Sequence, residues 1–361
     1  QASRLFTFPT LAGLLYNACL IGFLLGARSY PVVSLGLGGL AGVMAQVLAL
    51  AVFARRIWPE WGIQFKFTHP MLKKVWKLMI PIFIGTGVAY INLIVDRVFA
   101  SLLPVGTIAA MNFAIRVKEI PMGLFAVALS QAIYPVTSLQ VARGETTALR
   151  NLFSRSLETL WLFIVPSIAG IMVLSQETIA FLFERGAFTR DATIVTAQAL
   201  RFYVPGLLAN ASLDIVGRIF YSFQDTTTPV KVSMVGLAMN IVFNALLIHR
   251  LAHRGLALAT SLSATFVFLV LLEILRRRMR GVEGKILLRN LGKIVGATVL
   301  MAIFLVFLRP IAKAPWGYLG AVITGMVVYG VLVLLFRPRS SENIIAILKR
   351  IWGKICYKQP S

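Results

Sequence analysis

Acidic side chains are scarce in this sequence: 13 Asp and Glu stand against 36 Lys and Arg, a net charge of +23. Charged residues of both signs fill only 14% of the 361 positions, where a soluble domain uses about 25%. Apolar residues fill 58%, above the usual range of about 45–50%. Folding in water is therefore not expected, and so greasy a chain is not disordered by its charge. Cysteine is almost missing. Cys19 and Cys356 alone cannot make a disulfide framework. No GxxxxGK[ST] run occurs, which excludes an ATP motor of the usual kind. No Ser/His/Asp grouping stands out. His249 and His253 are four apart but have no carboxylate beside them, so no metal site is read there. A nucleic-acid binder would gather its basic residues on one soluble face; here long apolar runs separate them, and no nucleic-acid partner is expected.

What is abundant is long apolar runs. A helix needs about 20 mainly apolar residues to cross a bilayer, and ten stretches qualify. They run over 9–27, 32–53, 78–102, 105–136, 157–174, 194–221, 229–248, 255–275, 291–308 and 316–336. They read as helices, because an open sheet would leave bare backbone polar groups in lipid. The fold class is thus all-α and polytopic. Counting connections alternately puts 24 basic residues on one side and 7 on the other. The positive-inside rule assigns the richer side, including 54–77 and 276–290, to the cytoplasm. Both ends then lie there. Pro70 to Lys77 and 342–354 mix apolar with basic residues and suit helices lying on an anionic leaflet. Gly38/Gly42 and Gly292/Gly296 have the spacing that lets helices approach closely. The sequence opens at Gln1 with no charged leader, and the expectation is a piece of a longer or processed chain.

Five basic residues fall inside the spans: Arg97, Arg116, Lys118, Arg201 and Arg218. Three acids do: Asp96, Glu119 and Asp214. Each costs roughly 2.5–3.5 kcal/mol at a helix centre, so each faces a cavity or a partner. The basic excess favours an anionic substrate over cationic drugs. Asn112, Arg116 and Glu119 lie just before Pro121, which removes a backbone donor and bends the helix. An Arg fork suits phosphate oxygens, and Glu119 can hold it. The alternative is a structural Arg–Glu pair. Lys118 points about 200° from Arg116 on an ideal helix and is expected to snorkel or pair elsewhere. Asp96 suits a small cation or a proton, or else a ladder to Arg97. Asn240 and Asn244 share a face, and Asp214 with Arg218 reads as an internal pair.

Four segments together resemble the MurJ (MviN) family of lipid II flippases. They are Ile91–Ser101, Phe113–Phe125, Phe183–Thr189 and Phe220–Pro229, in that order along the chain. The resemblance implies a fourteen-helix, two-lobe alternating-access transporter for the undecaprenyl-diphosphate-linked peptidoglycan precursor, of which this chain matches the last ten helices. It implies that Arg116 and Glu119 belong to the cavity of the second lobe, although Ile115 stands where an acid often precedes the Arg. It implies a tail groove formed by the last helix pair and its neighbours. Some members bind sodium, and the corresponding positions are Asp96, Asn240, Asn244 and Thr260, with the carbonyl of Leu256. No other cofactor is expected.

The reading is a bacterial inner-membrane flippase, not an enzyme, working as a monomer in the phospholipid bilayer. Residues 1–77 complete the first lobe with a linker, 78–275 form the second lobe, and 276–361 add a helix pair and a basic tail. The runner-up is an exporter of another anionic lipid-linked oligosaccharide. The rival from a different class is a membrane-embedded polyprenyl-phosphate enzyme, for which the isolated acids Glu60, Glu145, Asp225, Glu283 and Glu342 offer no paired-acid cluster.

Overall fold

The computed structural model describes residues 7–26, 30–57 and 70–339. Every regular element among them is helical. The chain divides into two compact units, Gln1–Lys73 and Lys74–Ser361.

The first unit contains α1 (Thr7–Gly26) and α2 (Pro31–Ile57). Lipid tails are as apolar as these helices, so close packing rather than burial must hold them together. A side chain at Gly38 would meet Phe23 Cβ at 2.9 Å, and one at Gly42 would meet Tyr16 Cδ2 at 2.8 Å. Partner numbers fall as α2 numbers rise, so the helices run antiparallel. The second glycine pair differs: nothing lies within 4 Å of a Cβ at Gly292 or Gly296. Its spacing is right, but the helix face that carries it meets no close neighbour.

The second unit begins with α3 (Pro70–Ser101) and α4 (Thr107–Pro121). A six-residue π turn, Met122–Val127, joins α4 to α5 (Ala128–Ala142). Then come α6 (Thr146–Val173), α7 (Ser175–Phe183) and α8 (Arg190–Tyr203). A 3-10 turn at Val204–Gly206 leads into α9 (Leu207–Ser222). The remaining helices are α10 (Thr227–Leu251), α11 (His253–Arg278), α12 (Gly284–Leu308) and α13 (Pro315–Phe336). Nine helical runs among the described residues are long and apolar enough to cross a membrane, with a shorter apolar run at Gly13–Gly26.

Two spans are broken, each at a proline. Pro121 precedes the π turn. At Pro205 the ring cannot donate to the helical ladder, and in the turn just before it Ser261 Oγ of α11 donates to the Phe202 carbonyl at 2.7 Å. That contact brings α11 so close that a Cβ on Gly206 would sit 2.6 Å from Ser261 Cα. The main core lies among α6, α9 and α11, around Phe153, Leu157, Ile215 and Phe220. Within it Trp161 Nε1 of α6 donates across to Ser212 Oγ of α9 at 2.9 Å.

Several expected boundaries move. The connection expected over 137–156 shrinks to residues 143–145, because α5 and α6 continue as helix through polar sequence. Hydropathy marks where lipid ends, not where the helix ends. Gly144, at φ +70°, makes the turn. The expected connection 175–193 holds α7 and the start of α8, where Thr189 Oγ1 accepts from the Ala192 N–H. Pro70–Lys77 is the first part of α3, continuous with the span rather than a separate surface helix. The segment 342–354 lies outside the described residues.

Candidate functional site

Three helices bring the five expected cation-site residues together. Asp96 comes from α3, Asn240 and Asn244 from α10, and Leu256 and Thr260 from α11. Asn244 Nδ2 donates to Asp96 Oδ1 at 2.7 Å and to Asn240 Oδ1 at 2.9 Å. Thr260 Oγ1 lies 3.1 Å from Asp96 Oδ2 and 3.0 Å from the Leu256 carbonyl. Both asparagines are fully buried and Asp96 is nearly so. The i, i+4 spacing of each pair puts both members on one helix face, so the oxygens converge. Asn244 Oδ1 and Asn240 Nδ2 have no partner. A buried, unpaired amide oxygen costs free energy unless something polar meets it. Carboxylate, amide, hydroxyl and carbonyl oxygens are the donors a hard cation takes, and the orphaned Asn244 oxygen adds one more. The residues fit such an ion.

Arg97 is exposed and makes no ion pair among the described residues, so the expected ladder to Asp96 is not formed. The cation within electrostatic reach of Asp96 is Lys118. Its Nζ lies 5.3 Å from the ring centroid of Tyr203, which is 2% exposed. Lys118 thus turns away from Arg116 and finds partners elsewhere, as its place on the helix implies: α4 packs on α8 on its other side, so a residue facing away from Arg116 faces a second polar cluster.

Arg116 and Glu119 form the expected pair, with Nη1 3.3 Å from Oε2 and side chains 78% and 51% exposed. Asn112, one turn earlier, is also exposed. The guanidinium keeps most of its donors free of protein partners. Asp214 and Arg218 do not form the expected ion pair: no contact within 4 Å joins them, and Arg218 lies over the Tyr134 ring at 5.7 Å.

Beside Arg116 the helix lines an apolar groove of about 750 Å³. Val117, Ile120 and Pro121 of α4 face Phe163 and Gly170 of α6 and Tyr318, Tyr329 and Val333 of α13 across it. Composition alone does not reveal this groove, since residues facing a groove and residues facing lipid are equally apolar; it lies beside the last helix pair, where the family resemblance implies one.

The other two resemblance segments make structural junctions. In Phe183–Thr189, Gly186 takes φ +60° and the rings of Phe183 and Phe188 close on Phe113, with centroids 4.8 and 5.1 Å away. In Phe220–Pro229, the Asp225 carboxylate accepts from the Thr228 N–H at 3.0 Å, the Thr227 and Thr228 hydroxyls, and Arg278 Nη1 at 2.7 Å. Partial burial alone would raise the Asp225 carboxyl, but these hydrogen bonds outweigh it and hold the group below the ordinary carboxylate value.

Long apolar helices, a buried polar cluster among three of them and an exposed basic group beside an apolar groove define a polytopic, all-helical membrane protein. The sequence model of the family described as lipid II flippase MurJ matches residues 1–327. The chain belongs to the lipid II flippase MurJ family. Probable lipid II flippases of this family from Vibrio cholerae and Haemophilus influenzae are 32% and 33% identical over 228 and 235 residues, 63% of this chain in each case. A relative from Thermotoga maritima is 27% identical over 96% of the chain. The chain spans about half the length of the first two relatives, 43% and 45%. A solved structure, a lipid II flippase MurJ in an inward closed conformation, superposes with a TM-score of 0.76 at 24% identity, covering 93% of this chain and 68% of that one. That likeness establishes the shared fold.

Proposed function

We propose that this chain forms the larger part of a lipid II flippase, which moves an undecaprenyl-diphosphate-linked peptidoglycan precursor across the bacterial inner membrane by alternating access. The observation that carries this reading is the setting of Arg116. An exposed guanidinium, steadied by Glu119, stands at the edge of an apolar groove large enough for a long hydrocarbon chain. A diphosphate joined to an isoprenoid needs this pairing of a fork for phosphate oxygens with a dry channel for the tail. Asn112 adds a polar contact on the same face.

The lobes are read as in the sequence: the first two helices complete one lobe, the next six form the second, and the last pair adds the groove wall. The protein acts as a carrier, not a catalyst, and as a monomer with no nucleic-acid partner. The acids that an enzyme of this kind would draw on are engaged elsewhere: Glu145 with Arg143, Asp225 with Arg278, and Glu283 with Arg339. The basic connections, including 276–290, face the cytoplasm, as do both ends.

Sodium is the coupling ion we favour. Asp96, Asn240, Asn244, Thr260 and the Leu256 carbonyl would hold it, supplying one negative charge in a buried site. An ion there neutralises Asp96, which suits burial.

The decisive experiment is Arg116→Ala in the full-length protein. Flipping should stop while expression stays near normal, and Arg116→Lys should restore little, because a point charge does not reproduce the fork. Full activity with Ala would make the pair with Glu119 merely structural. For the ion, sodium binding by calorimetry should be present in the full-length protein and lost in Asp96→Asn. Cysteines placed in 276–290 should react with impermeant reagents only after cells are opened.

A further inference from the structure

A second basic cluster lies where α12 turns into α13. Arg309 Nε lies 2.9 Å from Glu177 Oε1, and its Nη2 lies 3.2 Å from Gln176 Oε1. Arg201 of α8 approaches from the other side, and its Nε donates to the buried Ser175 Oγ at 2.5 Å. Arg201 and Arg309 are close enough to repel one another. Two guanidinium groups thus share one carboxylate. Among the described residues no acid lies within ion-pair distance of Arg201. A half-buried arginine in a membrane-spanning helix, with its one nearby acid already paired to another arginine, is costly and marks a ligand or ion path.

The groove begins one residue from this cluster. Glu177 is followed by Thr178, whose hydroxyl lies 3.2 Å from the Tyr318 hydroxyl, and both Thr178 and Tyr318 line the apolar channel. Val117 and Ile120 line the same channel and flank Arg116. Channel-lining positions thus sit next to guanidinium groups at two separate places: Val117 beside Arg116 on α4, and Thr178 beside Glu177, the partner of Arg309, near Arg201. The first pair is balanced by Glu119. The second cluster carries an uncompensated positive charge.

We infer that Arg201 and Arg309 form a second station for the diphosphate of an isoprenoid-linked lipid whose tail stays in the groove. The inference rests on the reading of the groove given above. A second place to hold the head group would let it shift along the groove while the tail stays bound. The Arg201 fork, anchored by Ser175 through Nε alone, leaves its terminal nitrogens to take phosphate oxygens bidentately.

The test uses the purified full-length protein in nanodiscs and geranylgeranyl diphosphate as the probe, with geranylgeraniol, inorganic diphosphate and phosphatidylglycerol as competitors. Arg201→Ala should weaken binding of the diphosphate by about tenfold, the loss of one charged hydrogen-bonding partner. Arg201→Lys should recover part of it, and affinity for the alcohol should stay unchanged in both. Arg201 has no salt bridge to break, so these variants should fold; a thermal melt of each checks this, and the Lys variant carries the test if the Ala variant is unstable. Wild-type diphosphate affinity in Arg201→Ala overturns the second station. If the alcohol binds and Arg116→Ala weakens the diphosphate while Arg201→Ala does not, the groove reading survives and this inference alone falls. If the alcohol does not bind at all, the groove reading itself fails. Competition by inorganic diphosphate as strong as by the lipid reassigns the cluster to free anions, and equal competition by phosphatidylglycerol reassigns it to common headgroups; both overturn the assignment.

Discussion

The Asp96 cluster and the Arg116–Glu119 pair occupy successive helices, yet their surroundings are opposite. Asp96 is closed in: both oxygens accept hydrogen bonds, and the two asparagines beside it are fully buried. Arg116 is open, 78% exposed, with a single protein partner 3.3 Å away. A closed polar network in low dielectric serves stability first, since each member left alone carries a desolvation penalty. An open pair with spare donors adds little to stability and keeps its hydrogen-bonding capacity for something else. Loss of a side chain should therefore read out differently at the two places.

The largest effect should be on transport, at Arg116. Removing a fork that makes two charge-assisted hydrogen bonds, each worth about 1.5–3 kcal/mol, should slow flipping by about a hundredfold or more. The melting temperature should barely move. A clear drop in stability would show that the open pair is structural after all and erase the contrast. Next comes Asp96→Ala, which leaves one N–H of the Asn244 amide without its acceptor, while Thr260 keeps the Leu256 carbonyl. It should cost about 1–3 kcal/mol of stability from one buried unsatisfied group, read as a lower melting temperature in detergent. Unchanged stability would mean that the network is not closed. Asn244→Asp sharpens the point. It removes the donor that links Asp96 to Asn240 and sets two carboxylates face to face, so its stability should rise with added sodium more steeply than that of the parent chain. A sodium-independent melt in this variant would argue against a cation at this place.

The smallest effect is expected at Asp225, away from both. Its hydrogen bonds hold the carboxyl below its ordinary value, so its contribution is fully present above about pH 4 and is lost as pH falls through the lower folded value. Arg278 is partly exposed, which screens the pair. Asp225→Asn should cost only about 0.5–1 kcal/mol, and that difference should vanish in strongly acidic buffer. A difference that persists there would mean that Asp225 acts through shape rather than charge.

Much of this architecture was legible in the residues. Each expected span contains a helix, because a run of apolar residues in lipid has few alternatives. That Asp96, Asn240, Asn244, Leu256 and Thr260 come together was legible partly through the family resemblance and partly for a local reason: Asn240 with Asn244 and Leu256 with Thr260 each sit one helical turn apart. What pairs across helices was harder. Asp214 and Arg218 have the same spacing as the two asparagines, yet they do not meet, because Arg218 finds the Tyr134 ring instead. Lys118 was legible as turned from Arg116, but its neighbours Tyr203 and Asp96 were not, because a helical wheel shows only directions and not what waits in each. The second arginine cluster was visible as Arg201 alone; that Arg309 joins it depends on a helix-to-helix approach between residues more than a hundred positions apart.

The π turn at Met122–Val127 has a further consequence. A wide turn holds one residue more than the α-helical ladder needs, so it amounts to an insertion absorbed without lengthening the span. Everything after it is rotated by about 100° relative to an uninterrupted helix. Thr137, which meets Ser222 at 2.9 Å, owes its place to that rotation. Deleting one residue between 122 and 127 would turn α5 as a rigid rod and carry Thr137 off Ser222, while leaving Arg116 where it is. The helix works like two dials on one shaft, set independently by a single surplus residue.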